Sequence, residues 1–300
     1  MSTPKAWLAA ARLRTLPLSV SGILVGCSLA APQSFYRSTI FWLAILTTVG
    51  FQVLSNFAND YGDGIKGADA QREGEQRMVA AGIISAAQMK RGMILIGIST
   101  LLIALLLIYV AFGDQWGYAL LFFGLGIASI VAAVTYTVGR SAYGYKALGD
   151  VFVFLFFGML SVLGSYFLFT KEFSLLMLLP AGTIGFMSMA VLNLNNMRDR
   201  VADAVVGKIT VAVKLGASGA KKYHTMLILT ALIAYILFIT ISGFQFLQIL
   251  PLLAFVPLFL NIQTVWKNEA PALLDPELKK VALSTFAFSI GVMLVAILMG

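Results

Sequence analysis

Residues 39–69 read TIFWLAILTTVGFQVLSNFANDYGDGIKGAD, an apolar run, Thr39–Phe57, that passes without a break into a cluster of amides and carboxylates. Crossing a hydrocarbon core takes about 20 helical residues, which this run nearly supplies on its own. Lipid offers backbone groups no hydrogen-bond partners, so the run is read as an α-helix. Asn56, Asp60 and Asp63 then fall at i, i+4 and i+7, which stacks them on one helix face. Carboxylates at the edge of a membrane are energetically unfavourable and seldom persist without a role.

The pattern recurs. The sixth apolar segment ends in Asn195-Asn196-Met-Arg198-Asp199-Arg200-Val-Ala-Asp203, with Asn195, Asp199 and Asp203 at i, i+4 and i+8. The offset from Asn56 to Asn195 is 139, and it is 139 again from Asp60 to Asp199. Two helices ending at the same depth with the same lettering predict two related halves facing one cavity.

The rest of the chain fits a polytopic, all-α membrane protein formed as one domain over residues 1–300. Hydrophobic residues make up 60% and charged residues 11%, against about a quarter charged in soluble domains; mean hydropathy is +0.91. Nine apolar segments are predicted to span: Leu16–Ala31, Thr39–Phe57, Met93–Phe112, Trp116–Val138, Leu148–Phe169, Ser174–Leu194, His224–Gly243, Phe246–Trp266 and Val281–Met299. The eighth contains Pro251 and Pro257 and is expected to kink. With the N-terminus inside, all basic residues but Arg37 and Lys171 lie on the cytoplasmic side, nineteen of twenty-one. The odd number of spans puts the C-terminus outside. Eleven of the thirteen acids are also inside, most of them in two connections of about thirty residues, 58–92 and 195–223. The expected location is a bacterial cytoplasmic membrane, with chemistry on its inner face.

The net charge of +8 does not point to nucleic acid, because the basic residues sit in short loops between apolar blocks. A single cysteine, Cys27, excludes a disulfide framework; the single histidine, His224, argues against a histidine-ligated metal site and is read as an interfacial residue rather than a base. Oxygen ligands without histidine or thiolate suit Mg²⁺, which typically binds through one or two carboxylates and substrate phosphate oxygens. The interleaved bases Arg72, Arg77, Arg198 and Lys208 suit the outer oxygens of a diphosphate. Between the motifs lie Tyr136, Tyr143, Tyr145 and Lys146. Tyrosine faces can stabilise a carbocation, and Lys146 could touch diphosphate; an aromatic belt at the membrane interface is the other reading of the tyrosines.

At these residues the chain resembles the UbiA superfamily of intramembrane aromatic prenyltransferases. Its first motif, Asn-Asp-x-x-Asp-x-x-x-Asp, maps onto Asn59, Asp60 and Asp63, but the last aspartate falls on Gly67, with Asp69 two residues later. The second, Asp-x-x-x-Asp, maps onto Asp199 and Asp203. Lys66-Gly-Ala-Asp69, Asn-Asn-x-Arg-Asp and Gly207-Lys208-x-Thr210 are similar to the branch that prenylates 1,4-dihydroxy-2-naphthoate in menaquinone synthesis, rather than the 4-hydroxybenzoate branch. The resemblance implies a polyprenyl diphosphate donor and Mg²⁺ held by Asp60, Asp63, Asp199 and Asp203 with Asn56 and one of Asn195 or Asn196. It also implies an allylic cation shielded from water, attack by the naphthoate ring with loss of its carboxylate, and a tail lying between helices and open to membrane lipid.

Two rivals are weaker. A CDP-alcohol phosphatidyltransferase also begins Asp-x-x-Asp-Gly, as Asp60–Gly64 does, yet it needs further aspartates within one continuous stretch. A transporter would place its acids near mid-membrane, where these segments carry no charge.

Overall fold

The computed structural model describes residues 3–67, 76–139 and 142–300. Among them, nine helical stretches are long and apolar enough to cross a membrane. A short helix α1 (Pro4–Ala11) precedes α2 (Leu16–Ala30), and the two are parted where Arg12 adopts a left-handed φ of 49°. Then follow α3 (Thr39–Lys66), α4 (Ala86–Phe112) and α5 (Trp116–Thr135). The fifth span is composite: α6 (Gly149–Val153), a π-helical segment Phe154–Gly164, and α7 (Ser165–Thr170). Hydropathy cannot foresee the π segment, because it counts apolar residues and not the pitch of the backbone.

The second half is formed by α8 (Leu178–Val205), α9 (Val211–Ile241), a 3₁₀ stretch Phe246–Phe255 leading into α10 (Val256–Lys267), and α11 (Asp275–Met299). The kink expected at Pro251 and Pro257 takes this form: Pro251 lies inside the 3₁₀ stretch and Pro257 sits in the first turn of α10. Helices α3 and α8 have the same length, 28 residues. Both of their ends are related by the 139-residue offset of the acidic motifs, so these two helices share register as well as lettering.

Two expectations need correction. The connection expected over 195–223 is mostly helix, because α8 continues to Val205 and α9 begins at Val211. Likewise α3 continues to Lys66. Hydropathy stops at the edge of the apolar core, whereas the i, i+4 amide and carboxylate face carries the helix onward. His224 is wholly buried rather than interfacial. Its Nε2 lies 2.7 Å from Asn261 Oδ1, and Asn261 Nδ2 donates to Glu277 Oε2 at 2.6 Å, which ties α9, α10 and α11 together.

Helix α3 stops at Gly67, whose φ of 73° lies in the left-handed region that glycine enters freely. Its N–H donates to the Asp63 carbonyl. The place where the family motif carries its last aspartate is therefore the stop signal of this helix. Asp69 and the predicted diphosphate ligand Arg72 lie outside the described residues.

Helices α8 and α9 pack along each other, as do α3 and α4, while α11 bridges α2, α8 and the 3₁₀ stretch. Small residues permit close approach between helices in lipid. At Gly26 a Cβ would stand 2.3 Å from the Val162 carbonyl oxygen, so α2 lies directly against the π segment.

Candidate active site

The two acidic motifs stand at the same end of the bundle, on α3 and α8, and their carboxylates have distinct partners. Asp60 is 1% exposed, and both its oxygens are hydrogen-bonded: Oδ2 accepts from the Met78 N–H at 3.0 Å and Oδ1 from the Val79 N–H at 2.9 Å. It thereby pins the segment that carries Arg77. Asp63 accepts from the Tyr145 hydroxyl at 2.8 Å, with Arg77 Nη2 at 4.0 Å from its other oxygen. Asp199 is gripped by Arg198, Nε to Oδ1 at 2.8 Å and Nη2 to Oδ2 at 2.9 Å. Asp203 Oδ1 lies 3.3 Å from Lys208 Nζ, and its Oδ2 is buried with no hydrogen-bond partner among the described residues.

Tyr145 joins the halves. Its hydroxyl holds Asp63, and its ring lies between two cations, with Lys66 Nζ 4.1 Å and Lys208 Nζ 5.6 Å from the ring centre. The loops bearing it and Lys208 meet in a parallel bridge, Lys146 to Ile209, with the Ile209 N–H donating to the Tyr145 carbonyl at 3.2 Å. Lys66 also donates to the Thr137 carbonyl at 2.6 Å, and the Thr137 hydroxyl donates to the Ala58 carbonyl at 2.9 Å.

A cavity of about 510 Å³ opens beside these groups. At the motif end Asn56, Asn59, Asp63, Arg77, Asn195 and Lys208 line it. Further in, Thr15, Ser19 and Gln52 form a neutral polar wall: Ser19 donates to Gln52 Oε1 at 2.7 Å, and Gln52 Nε2 donates to Asn56 Oδ1 at 3.2 Å. Asn56 Nδ2 in turn donates to the Ala11 carbonyl at 2.9 Å. Opposite stand Tyr136 and Tyr143 with Phe152 and Phe156. Tyr143 packs on Phe152 with ring centres 3.9 Å apart and meets Tyr136 edge-on at 5.2 Å. Burial pushes the Tyr143 hydroxyl above its ordinary range. A tyrosine is neutral near pH 7 in any case, so Tyr136 and Tyr143 present uncharged ring faces. Beyond them the lining is mostly apolar, with the hydroxyls of Thr47, Ser161 and Ser165 among it, as far as Leu107, Phe122 and Leu168, and Phe122 stacks on Phe167 at 5.8 Å.

The predicted residues thus divide. Asn56, Asp63, Arg77, Tyr136, Tyr143, Asn195 and Lys208 face the cavity, while Asp60, Asp199, Asp203, Asn196 and Arg198 stand behind that lining. Lys146 sits in the bridge between loops. Asp275, Gln52, Phe152 and Phe156 line the cavity too but belong to neither motif. An amide, an acid or a phenylalanine occurring once carries no signal in a sequence.

Among the described residues, no three His, Cys, Asp or Glu side chains converge as a ready-made metal cluster. The donors still fit Mg²⁺, which takes one or two carboxylates and completes its shell with substrate phosphate and water. The Oδ2 of buried Asp203, without a partner among the described residues, is a hard oxygen donor of that kind.

A cavity that carries acids, bases and aromatic rings at one end and mostly apolar side chains at the other, enclosed by helices of membrane-spanning length, defines a membrane protein built for a molecule with an anionic head and an apolar tail. The chain belongs to the UbiA prenyltransferase family, whose sequence pattern matches residues 19–274. It is 41% identical to a 1,4-dihydroxy-2-naphthoate octaprenyltransferase of Haemophilus influenzae, with 97% of this chain and 96% of that protein aligned. The protein of the same name in Escherichia coli is 38% identical, with 98% and 97% aligned. Among solved structures, a UbiA homologue from Aeropyrum pernix superposes with a TM-score of 0.73 at 14% identity, covering 94% of this chain and 98% of that one. A homologue from Archaeoglobus fulgidus, bound to GPP and Mg²⁺, gives 0.68 at 16% identity, covering 96% and 99%.

Proposed function

We propose that this protein transfers a polyprenyl chain from polyprenyl diphosphate to 1,4-dihydroxy-2-naphthoate in menaquinone synthesis. The observation that carries the reading is one cavity that joins the acid-and-base end to an apolar interior past an aromatic wall. The two relatives described above carry this activity in their names over nearly the full chain.

Asp60, Asp63, Asp199 and Asp203, with Asn56 and one of Asn195 or Asn196, would hold Mg²⁺. Bound there, it would neutralise diphosphate and make it a better leaving group. Arg77 and Lys208 would pair with the outer phosphate oxygens. The allylic C–O bond breaks with its electron pair leaving on diphosphate. Tyr136, Tyr143 and Phe152 face the resulting cation with neutral rings, which attract positive charge and cannot trap it as a phenolate would. The naphthoate ring supplies the pair for the new C–C bond, and departure of the carboxylate as CO₂ returns a pair to the ring. The product is a prenylated naphthoquinol, the reduced form of demethylmenaquinone. Phe122 and Leu168 mark how deep the tail runs, and its remainder lies in lipid. The charge distribution supports a bacterial cytoplasmic membrane, with the motif end and N-terminus inside and the C-terminus outside.

The test is a membrane assay with polyprenyl diphosphate, Mg²⁺ and either 1,4-dihydroxy-2-naphthoate or 4-hydroxybenzoate, with product identified by mass. Product from the naphthoate alone, lost on chelation, supports the reading. Product from the benzoate alone refutes the acceptor, and product from neither refutes the reaction.

A further inference from the structure

Asp275 belongs to neither acidic motif. It opens α11 and lines the mouth of the cavity. Its Oδ1 accepts from Arg198 Nη1 at 2.5 Å, and its Oδ2 lies 3.7 Å from Arg14. Arg198 faces the other way as well: its two-pronged grip takes both oxygens of Asp199, and Nη2 also reaches Asn195 Oδ1 at 2.8 Å. One buried guanidinium, its side chain 2% exposed, therefore stands between two carboxylates.

A divalent cation at Asp199 competes with that grip and repels the guanidinium. Arginine cannot release its proton in a protein, and a buried charge left without a partner is strongly unfavourable. Asp275 removes the difficulty, because Arg198 keeps a carboxylate when its hold on Asp199 slackens. We infer that Asp275 is a positioning residue: by holding Arg198 it sets the affinity of the second acidic motif for the divalent cation. This rests on the metal reading proposed above. A plainer role exists for an acid in the first turn of α11, where it favours the helix dipole and ties α11 to α8. That role alters stability but not cation affinity in the folded protein, and it does not depend on Arg198.

The experiment uses the purified full-length chain in detergent, with Mn²⁺ as probe and a non-ionising thiodiphosphate donor analogue present; bound Mn²⁺ is read by electron paramagnetic resonance. Wild-type protein that holds no Mn²⁺ overturns the metal reading itself. Given wild-type binding, Asp275→Asn should raise half-saturating Mn²⁺ by about tenfold or more, in line with the penalty for leaving a buried guanidinium short of a carboxylate. Asp275→Glu should recover most of the affinity. In an Arg198→Gln background, Asp275→Asn should change nothing. Unaltered affinity in Asp275→Asn, or the same loss with and without Arg198, overturns the inference. Should Asp275→Asn not fold, Arg198→Gln alone decides: it should tighten Mn²⁺ binding, and weaker or equal binding refutes a neutralising role for Arg198.

Discussion

Asp60→Asn separates two roles for the first motif. In the structure both Asp60 oxygens accept backbone N–H groups, from Met78 and Val79, and the carboxylate is buried. Hydrogen bonds to a charged acceptor contribute about 1.5–3 kcal/mol each, against about 1 kcal/mol for a neutral one. Asparagine is nearly the same size, but its single oxygen can serve one amide, while its NH₂ group faces the other donor. Two charged bonds replaced by one neutral bond amount to a loss of about 2–5 kcal/mol in the attachment of this segment. At 1.36 kcal/mol per factor of ten, the open form rises by about 30-fold or more.

The residue next to the anchor provides the readout. Arg77 is 7% exposed, so trypsin can cut after it only when the segment opens, and under mild proteolysis the cleavage rate follows the open population. Cleavage after Arg77, quantified by mass spectrometry on detergent-purified protein, should accelerate by about 30-fold or more in Asp60→Asn. Asp63→Asn leaves both amide anchors of the segment in place, perturbing instead the 4.0 Å ion pair with Arg77 and the bond from Tyr145, and should accelerate it far less. Both variants should lose prenyl transfer. A folded Asp60→Asn protein cut at the wild-type rate would refute the anchoring argument and leave Asp60 as a ligand alone.

Four further outcomes follow from the same geometry. Tyr145→Phe keeps the ring between Lys66 and Lys208 but removes the 2.8 Å bond to Asp63; kcat/KM should fall about tenfold or more, and an unchanged value would mean that this bond does not position Asp63. Gly26→Ala places a Cβ 2.3 Å from the Val162 carbonyl and should lower stability by about 1–3 kcal/mol in detergent unfolding, with Gly67→Ala at the open helix end costing about 1 kcal/mol. Phe122→Ala opens the deep end of the cavity, so the ratio of kcat/KM for eight-unit over two-unit donors should rise, by about tenfold if about 1.4 kcal/mol of steric hindrance is relieved; an unaltered ratio would place the tail elsewhere.

What the sequence can reveal here depends on whether a physical constraint repeats along the chain. Lipid forces every span into a helix and leaves an apolar run behind, so Thr39–Phe57 and its counterparts are legible one by one. The motif helices are legible because Asn56 and Asp60 reappear, at an offset of 139, as Asn195 and Asp199. Helices α3 and α8, which share that offset at both ends, bear out the inference of matched halves. Beyond the apolar core the constraint lapses. Hydropathy ends α8 near Leu194, yet it runs to Val205, and the signal for that extension is the carboxylate spacing alone. The π segment at Phe154–Gly164 reads like any other apolar stretch. Partner choice is further out of reach. Arg198 next to Asp199 reads as a cation free for diphosphate, whereas the fold brings Asp275 from 77 residues away to the far side of its guanidinium. The motif residues Asn56 and Asp60 recur as Asn195 and Asp199 and declare themselves. Asp275, which occurs once and acts through Arg198, becomes visible only when the chain is folded, and for that reason its role has to be tested by asking whether Arg198 is required for its effect.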